Sequence, residues 1–160
     1  MTAAPKFRIR NITFPRINSL FISAPTSNEV NQLCRVEALI QDARTLRLLF
    51  GVQVVSGELI DGKPKVRAVV EAIGEFEFED DIPEIGSLAQ FPLIGNMLAL
   101  LYPFIREKIH YCLSNNQMTN FFLPPINTIE LIKGNANNPN FRLSDGRKGQ
   151  QELTASQSDD

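Results

Sequence analysis

The stretch LLYPFIREKIHYCLSNNQMTNFFLPPIN, Leu100 to Asn127, runs an apolar helix into an apolar loop. Around and within it, Ile94, Met97, Leu98, Leu101, Ile105, Ile109 and Cys112 recur at helical spacing as one stripe, and Leu93, Leu100, Phe104 and Tyr111 form a second. A helix from Phe91 to Leu113 with two apolar stripes must be buried on two sides. A sheet can cover one side; in a chain this small the other calls for a second subunit. Pro103 removes one helical hydrogen bond and should kink or restart the helix. Ser114-Asn-Asn116 ends it. The loop Phe121 to Ile126 then has two readings: it folds back onto the core or an oligomer interface, or it stays open as a wall for apolar ligands. Asn127-Thr-Ile-Glu130 has capping-box spacing, so a short helix should span Thr128 to Lys133 before Gly134 breaks it.

Upstream the period changes from helical to two. Phe7 and Ile9, then Ile12 and Phe14, alternate with polar residues, and the phase slip between the pairs predicts a bulge. Pro15 belongs on an edge or a bend. Cys34–Gln41 and Leu46–Ile60 read as the second and third strands, and Asp61-Gly62 marks a hairpin into a fourth that continues to Phe78. On that strand Phe76 and Phe78 share one face, with Glu75, Glu77 and Glu79 on the other. Strands first and helices later predict α+β: a four-stranded antiparallel sheet packed against the long helix and the short last one. Residues 1–134 should form one domain, and 135–160 a polar, disordered tail with too little apolar surface to offset its ordering entropy.

The bulk numbers narrow the function. With 160 residues and a 43% hydrophobic fraction, the chain can build one ordinary core. Its 16 basic and 18 acidic side chains nearly balance, and no basic block points to nucleic acid. No stretch suits a secretory signal or a membrane span, so a soluble cytoplasmic protein is expected. Cys34 and Cys112 are too few for a disulfide framework and read as buried thiols. His110, the single histidine, has no nucleophile or carboxylate motif beside it, and two Cys with one His cannot close a zinc site. The acids from Glu75 to Glu84 suit a solvated face, with a cation site or a docking patch as the sharper readings. No enzyme, metal or cofactor is expected.

Five blocks, in order, resemble the SecB family of tetrameric cytosolic chaperones over about residues 5–133. They are Phe7-Arg-Ile-Arg-Asn-Ile12; Phe21-Ile-Ser-Ala-Pro25, with one residue more than the family pattern before Ala-Pro; Val70-Glu71 with Gly74-x-Phe76-x-Phe78; Leu101-Tyr-Pro-Phe-Ile-Arg-Glu107; and Leu123-Pro-Pro-Ile-Asn127. The resemblance implies a dimer of dimers, joined through sheet edges and long helices. It implies that unfolded client polypeptides lie in apolar grooves. Carried onto this chain, those grooves would be lined by Val30, Leu33, Phe76, Phe78, Leu101, Phe104, Phe122, Leu123, Ile126 and Ile129. The family's acidic docking surface for the translocation ATPase SecA is replaced here by Arg16, Asn18 and Ser23 on the first strand and by Lys63, Lys65 and Arg67 beyond the hairpin, so SecA docking is doubtful. A dedicated client, such as the antitoxin of a chaperone-controlled toxin–antitoxin system, fits that departure. The other reading is a non-enzymatic adaptor or structural subunit that binds one folded partner.

Overall fold

The computed structural model describes residues 5–27, 29–115 and 123–148. The strands are β1 (Phe7–Phe21), β2 (Val30–Ile40), β3 (Thr45–Ser56), β4 (Leu59–Ile60), β5 (Lys63–Pro64), β6 (Val66–Phe78) and β7 (Phe141–Asp145). The helices are α1 (Leu93–Asn115) and α2 (Thr128–Gly134), with a short 3-10 turn at Leu88–Gln90 before α1. Five strands make the main sheet in the order β1-β6-β3-β2-β7. All neighbours are antiparallel except β2 and β7.

Local sequence explains the strands. β1 pairs with β6 through two register shifts, between Ile9 and Asn11 and between Thr13 and Arg16. The first lies at the phase slip and the second brackets Pro15, which β1 tolerates because it is an edge strand. Asp61 and Gly62 both have positive φ, 51° and 76°, as a tight hairpin turn requires, and join β4 to β5.

The core lies between one sheet face and α1. Val36, Ala38 and Ile40 of β2, Leu48, Phe50 and Val52 of β3, and Ala68, Val70, Ala72, Phe76 and Phe78 of β6 meet the whole first stripe of α1 there. Burying side chains of this size contributes about 1.5–3 kcal/mol each for the larger ones. Gly74 sits where α1 crosses β6: a Cβ built there would lie 2.7 Å from the Phe76 ring and 2.9 Å from Leu101. α1 continues through Pro103 rather than restarting. Of its second stripe, Leu93 packs against the core, while Leu100, Phe104 and Tyr111 are exposed on the single chain at 43%, 44% and 67%.

Two expectations need correction. The sheet has five strands, not four, and the segment after Gly134 is not wholly outside the fold: Phe141–Asp145 lies parallel on β2, from Val36↔Phe141 to Ile40↔Asp145. Phe141 and Leu143 pack against the core. Arg147 ties the end of the strand down by bonding the Asp145 carboxylate and donating to the carbonyls of Ile82 and Pro83. β2, Ile82 and Pro83 are far away in sequence, so local composition carries no sign of them.

Candidate functional site

The segment Leu123–Asn127 is positioned by three polar contacts. Tyr102, stacked on Phe50 with ring centroids 6.2 Å apart, donates its hydroxyl to the Pro124 carbonyl at 2.6 Å. Burial pushes the Tyr102 phenol up to about 12, so it stays a donor at any physiological pH. Thr128 is buried and donates to the Gly95 carbonyl at 2.6 Å, locking the start of α2 onto α1. Asn127 caps α2 by accepting from the Glu130 amide at 3.2 Å. Gly95 permits that approach, because a Cβ there would stand 3.1 Å from the Ile129 Cα.

Two cavities flank the segment and meet at Ile126. The first, about 450 Å³, lies between α1 and the segment: Ala99, Tyr102, Pro103, Arg106, Glu107 and His110 form one wall, and Leu123, Pro125, Ile126 and Thr128 the other. The second, about 400 Å³, is bounded by Gln32, Leu33 and Cys34 of β2, Ile126, Leu131 of α2, and Asn135, Asn138, Asn140 and Phe141. Sharing Ile126 as a wall, they make an interrupted, partly apolar trough that runs from α1 to the β2 edge. Cys34 and Cys112 are free, and burial raises both thiols.

The candidate lining residues therefore separate. Leu123 and Ile126 border the first cavity, and Leu33 and Ile126 the second. Val30 is half-buried at the start of β2, just before the residues that bound the second cavity. Ile129 is exposed on α2 and borders a small pocket with Phe91 and Leu88. Phe76, Phe78 and Leu101, at 0%, 3% and 0% exposure, are core residues and offer no surface to a ligand. They are inside because the β6 face that carries Phe76 and Phe78 is the face that α1 covers. Phe104 is on the α1 flank, outside both cavities. Phe122 lies outside the described residues. Leu123 itself is 2% exposed, so the apolar loop folds back at that residue, while Pro124 and Pro125 are exposed and Ile126 half-buried.

The helical wall of the first cavity has no counterpart in the sequence reading. Ala99, Pro103, Arg106 and His110 follow helical spacing but are not uniformly apolar, so apolar periodicity does not mark them. Across the sheet, the acids of the outward face are engaged by arginines: Arg8 with Glu77 at 2.7 Å, Arg35 with Glu37 at 2.8 Å, and Arg35 and Arg16 with Glu71 at 3.6 and 4.0 Å.

Comparison with solved structures finds a SecB-like chaperone of Mycobacterium tuberculosis in complex with a ChAD peptide from the HigA1 antitoxin. The match has a TM-score of 0.56 and 16% identity over 75% of this chain and 90% of that one. The fold is SecB-like. No family model and no curated protein sequence matches the chain. In SecB-like terms, β7 is a fifth strand added to the four that the resemblance implied.

Proposed function

We propose that this protein is a non-enzymatic holdase, binding extended, non-native polypeptide in the trough on its β2 side. The observation that carries the reading is the meeting of the two cavities at Ile126 on a SecB-like fold. A wall of Tyr102, Pro103, Leu123, Pro125 and Ile126 suits apolar side chains of many shapes, and the rim of Arg106, Glu107 and His110 suits a polar backbone. Binding the unfolded state shifts a client away from aggregation without any chemistry. The peptide-bound state of the mycobacterial structure supports a peptide, rather than a folded partner, as the occupant.

The same proposal includes assembly. Leu100, Phe104 and Tyr111, with Ile17, Leu20 and Phe21 on the edge strand β1, leave an apolar flank exposed on one chain, and a second copy covers it in a homotetramer. Because arginines engage acids of the outward sheet face, docking to a basic site on SecA is disfavoured, and a dedicated client such as an antitoxin fits better.

Suppression of aggregation of a chemically denatured protein tests this reading. Ile126→Ser should weaken protection several-fold with an unchanged circular dichroism spectrum, since one half-buried apolar anchor contributes about 1.5–3 kcal/mol when fully desolvated. An Ile126→Ser protein that protects as well as the parent removes the trough from consideration. A parent that gives no protection, yet captures one folded protein, establishes the adaptor reading instead.

A further inference from the structure

β2 is paired along its whole length with β3, but on its other side β7 covers only Val36 to Ile40. Among the described residues, Val30 to Arg35 have no strand partner on that side. The Val36 amide donates outward to the Asn140 carbonyl at 2.9 Å. In a strand the backbone groups alternate sides, so Cys34 and Gln32, two and four residues earlier, aim their N–H and C=O groups at the same open edge. At Pro139 the chain of β7 has already turned away, held by the Phe141 amide bonded to the Asn138 carbonyl at 2.9 Å. The second cavity begins there, between Gln32 and Cys34 on one side and Ile126, Leu131 and Phe141 on the other.

We propose that this open edge binds an extended polypeptide segment as an added strand, in line with β7. The occupant follows from what already sits on the edge. β7 shows that β2 accepts a strand there, and that it selects alternating apolar side chains: Phe141 and Leu143 face the core while Arg142 and Ser144 face out. A segment opposite Gln32 and Cys34 gains backbone bonds to both and sends every second side chain into the cavity against Ile126 and Leu131. Such a site reads backbone and alternation rather than a fixed sequence. This rests on the holdase reading and gives it a binding mode.

The test uses a labelled nonapeptide alternating valine with serine and arginine, and the same peptide N-methylated at alternate backbone amides. Methylation keeps the side chains but removes the edge donors. Anisotropy titrations of the full-length protein should show the methylated peptide bound about tenfold or more weakly than the plain one. Gln32→Pro should cause a similar loss, and an edge strand tolerates the substitution because the lost N–H faces the open side. Equal binding of both peptides to the parent overturns the proposal, whether or not Gln32→Pro folds. A folded Gln32→Pro protein that binds the plain peptide as the parent does also overturns it. If that variant changes the oligomer mass, the edge belongs to assembly between copies. Aggregation suppression on the same samples separates the two readings: a parent that protects its client but binds neither peptide ends only the strand-addition proposal, whereas a parent that does neither ends the holdase reading as well.

Discussion

The β1 edge and the β2 edge of the sheet are both rich in apolar residues, yet their surroundings differ. Beside β1, large side chains stand in the open on strand and helix alike, from Ile17, Leu20 and Phe21 to Leu100, Phe104 and Tyr111, and line neither of the two cavities that meet at Ile126. Beside β2, comparable side chains line hollows, with α2, the Leu123–Asn127 segment and β7 folded around them. Broad, protruding apolar surface suits a rigid, matching partner, such as a copy of the same chain. A trough with asparagine and arginine on its rim suits a flexible one. The difference teaches that apolar exposure alone does not identify a client site; shape and polar rim sort assembly from capture.

The largest effect should come from the β1 side. Replacing Leu100 and Phe104 together with Asp should disperse the proposed assembly, seen as a collapse of light-scattering mass to that of one or two chains, because burying each side chain supplies about 1.5–3 kcal/mol. An unchanged mass would erase the contrast between the edges. Next is the midline that both edges share. Gly74→Val forces a side chain against Phe76 and Leu101, and overpacking of this kind costs about 1–3 kcal/mol in denaturant unfolding.

On the β2 side, Tyr102→Phe deletes the hydroxyl that holds Pro124. It should lower stability by about 0.5–1.5 kcal/mol and weaken client protection, while the mass stays constant. A change of mass would show that the Leu123–Asn127 segment serves assembly too.

The smallest effect concerns the crossing between the edges, from β1 to β2. There the Thr26 hydroxyl and amide and the Lys65 ammonium all donate to the Glu58 carboxylate, which lowers it from an ordinary 4.5 to about 2. A carboxylate lowered on folding stabilises fully above about pH 4.5, and its contribution fades as pH falls through about 2. The crossing should therefore loosen within that window. Amide resonances of Thr26 that stay put from pH 5 to 2 would refute it.

Much of this was legible in the chain. The slip between Ile9 and Ile12 located a bulge, Asp61-Gly62 located the hairpin, and the first helical stripe located the face of α1 that meets the sheet. These are local signals, set by backbone sterics and side-chain period. β7 was illegible because Phe141 and Leu143 are only two apolar residues in a polar segment, and their stability comes from β2 and from Arg147 reaching Ile82 and Pro83. The start of β2 at Val30 was missed for a related reason, since Asn31 and Gln32 dilute its alternation. The site was harder still. Phe76, Phe78 and Leu101 look the same in sequence whether they line a groove or fill a core, and only the placement of α1 decides between the two.

Pro103 has one further consequence. Lacking an N–H, it gives nothing to the Ala99 carbonyl, the acceptor that every regular turn of helix would satisfy from that position. Ala99 and Pro103 both stand on the wall of the larger cavity. The helix thus lacks one of its regular backbone bonds on the stretch that walls this cavity. A helix short of one backbone bond bends most easily there, so Pro103 sets where that wall can give.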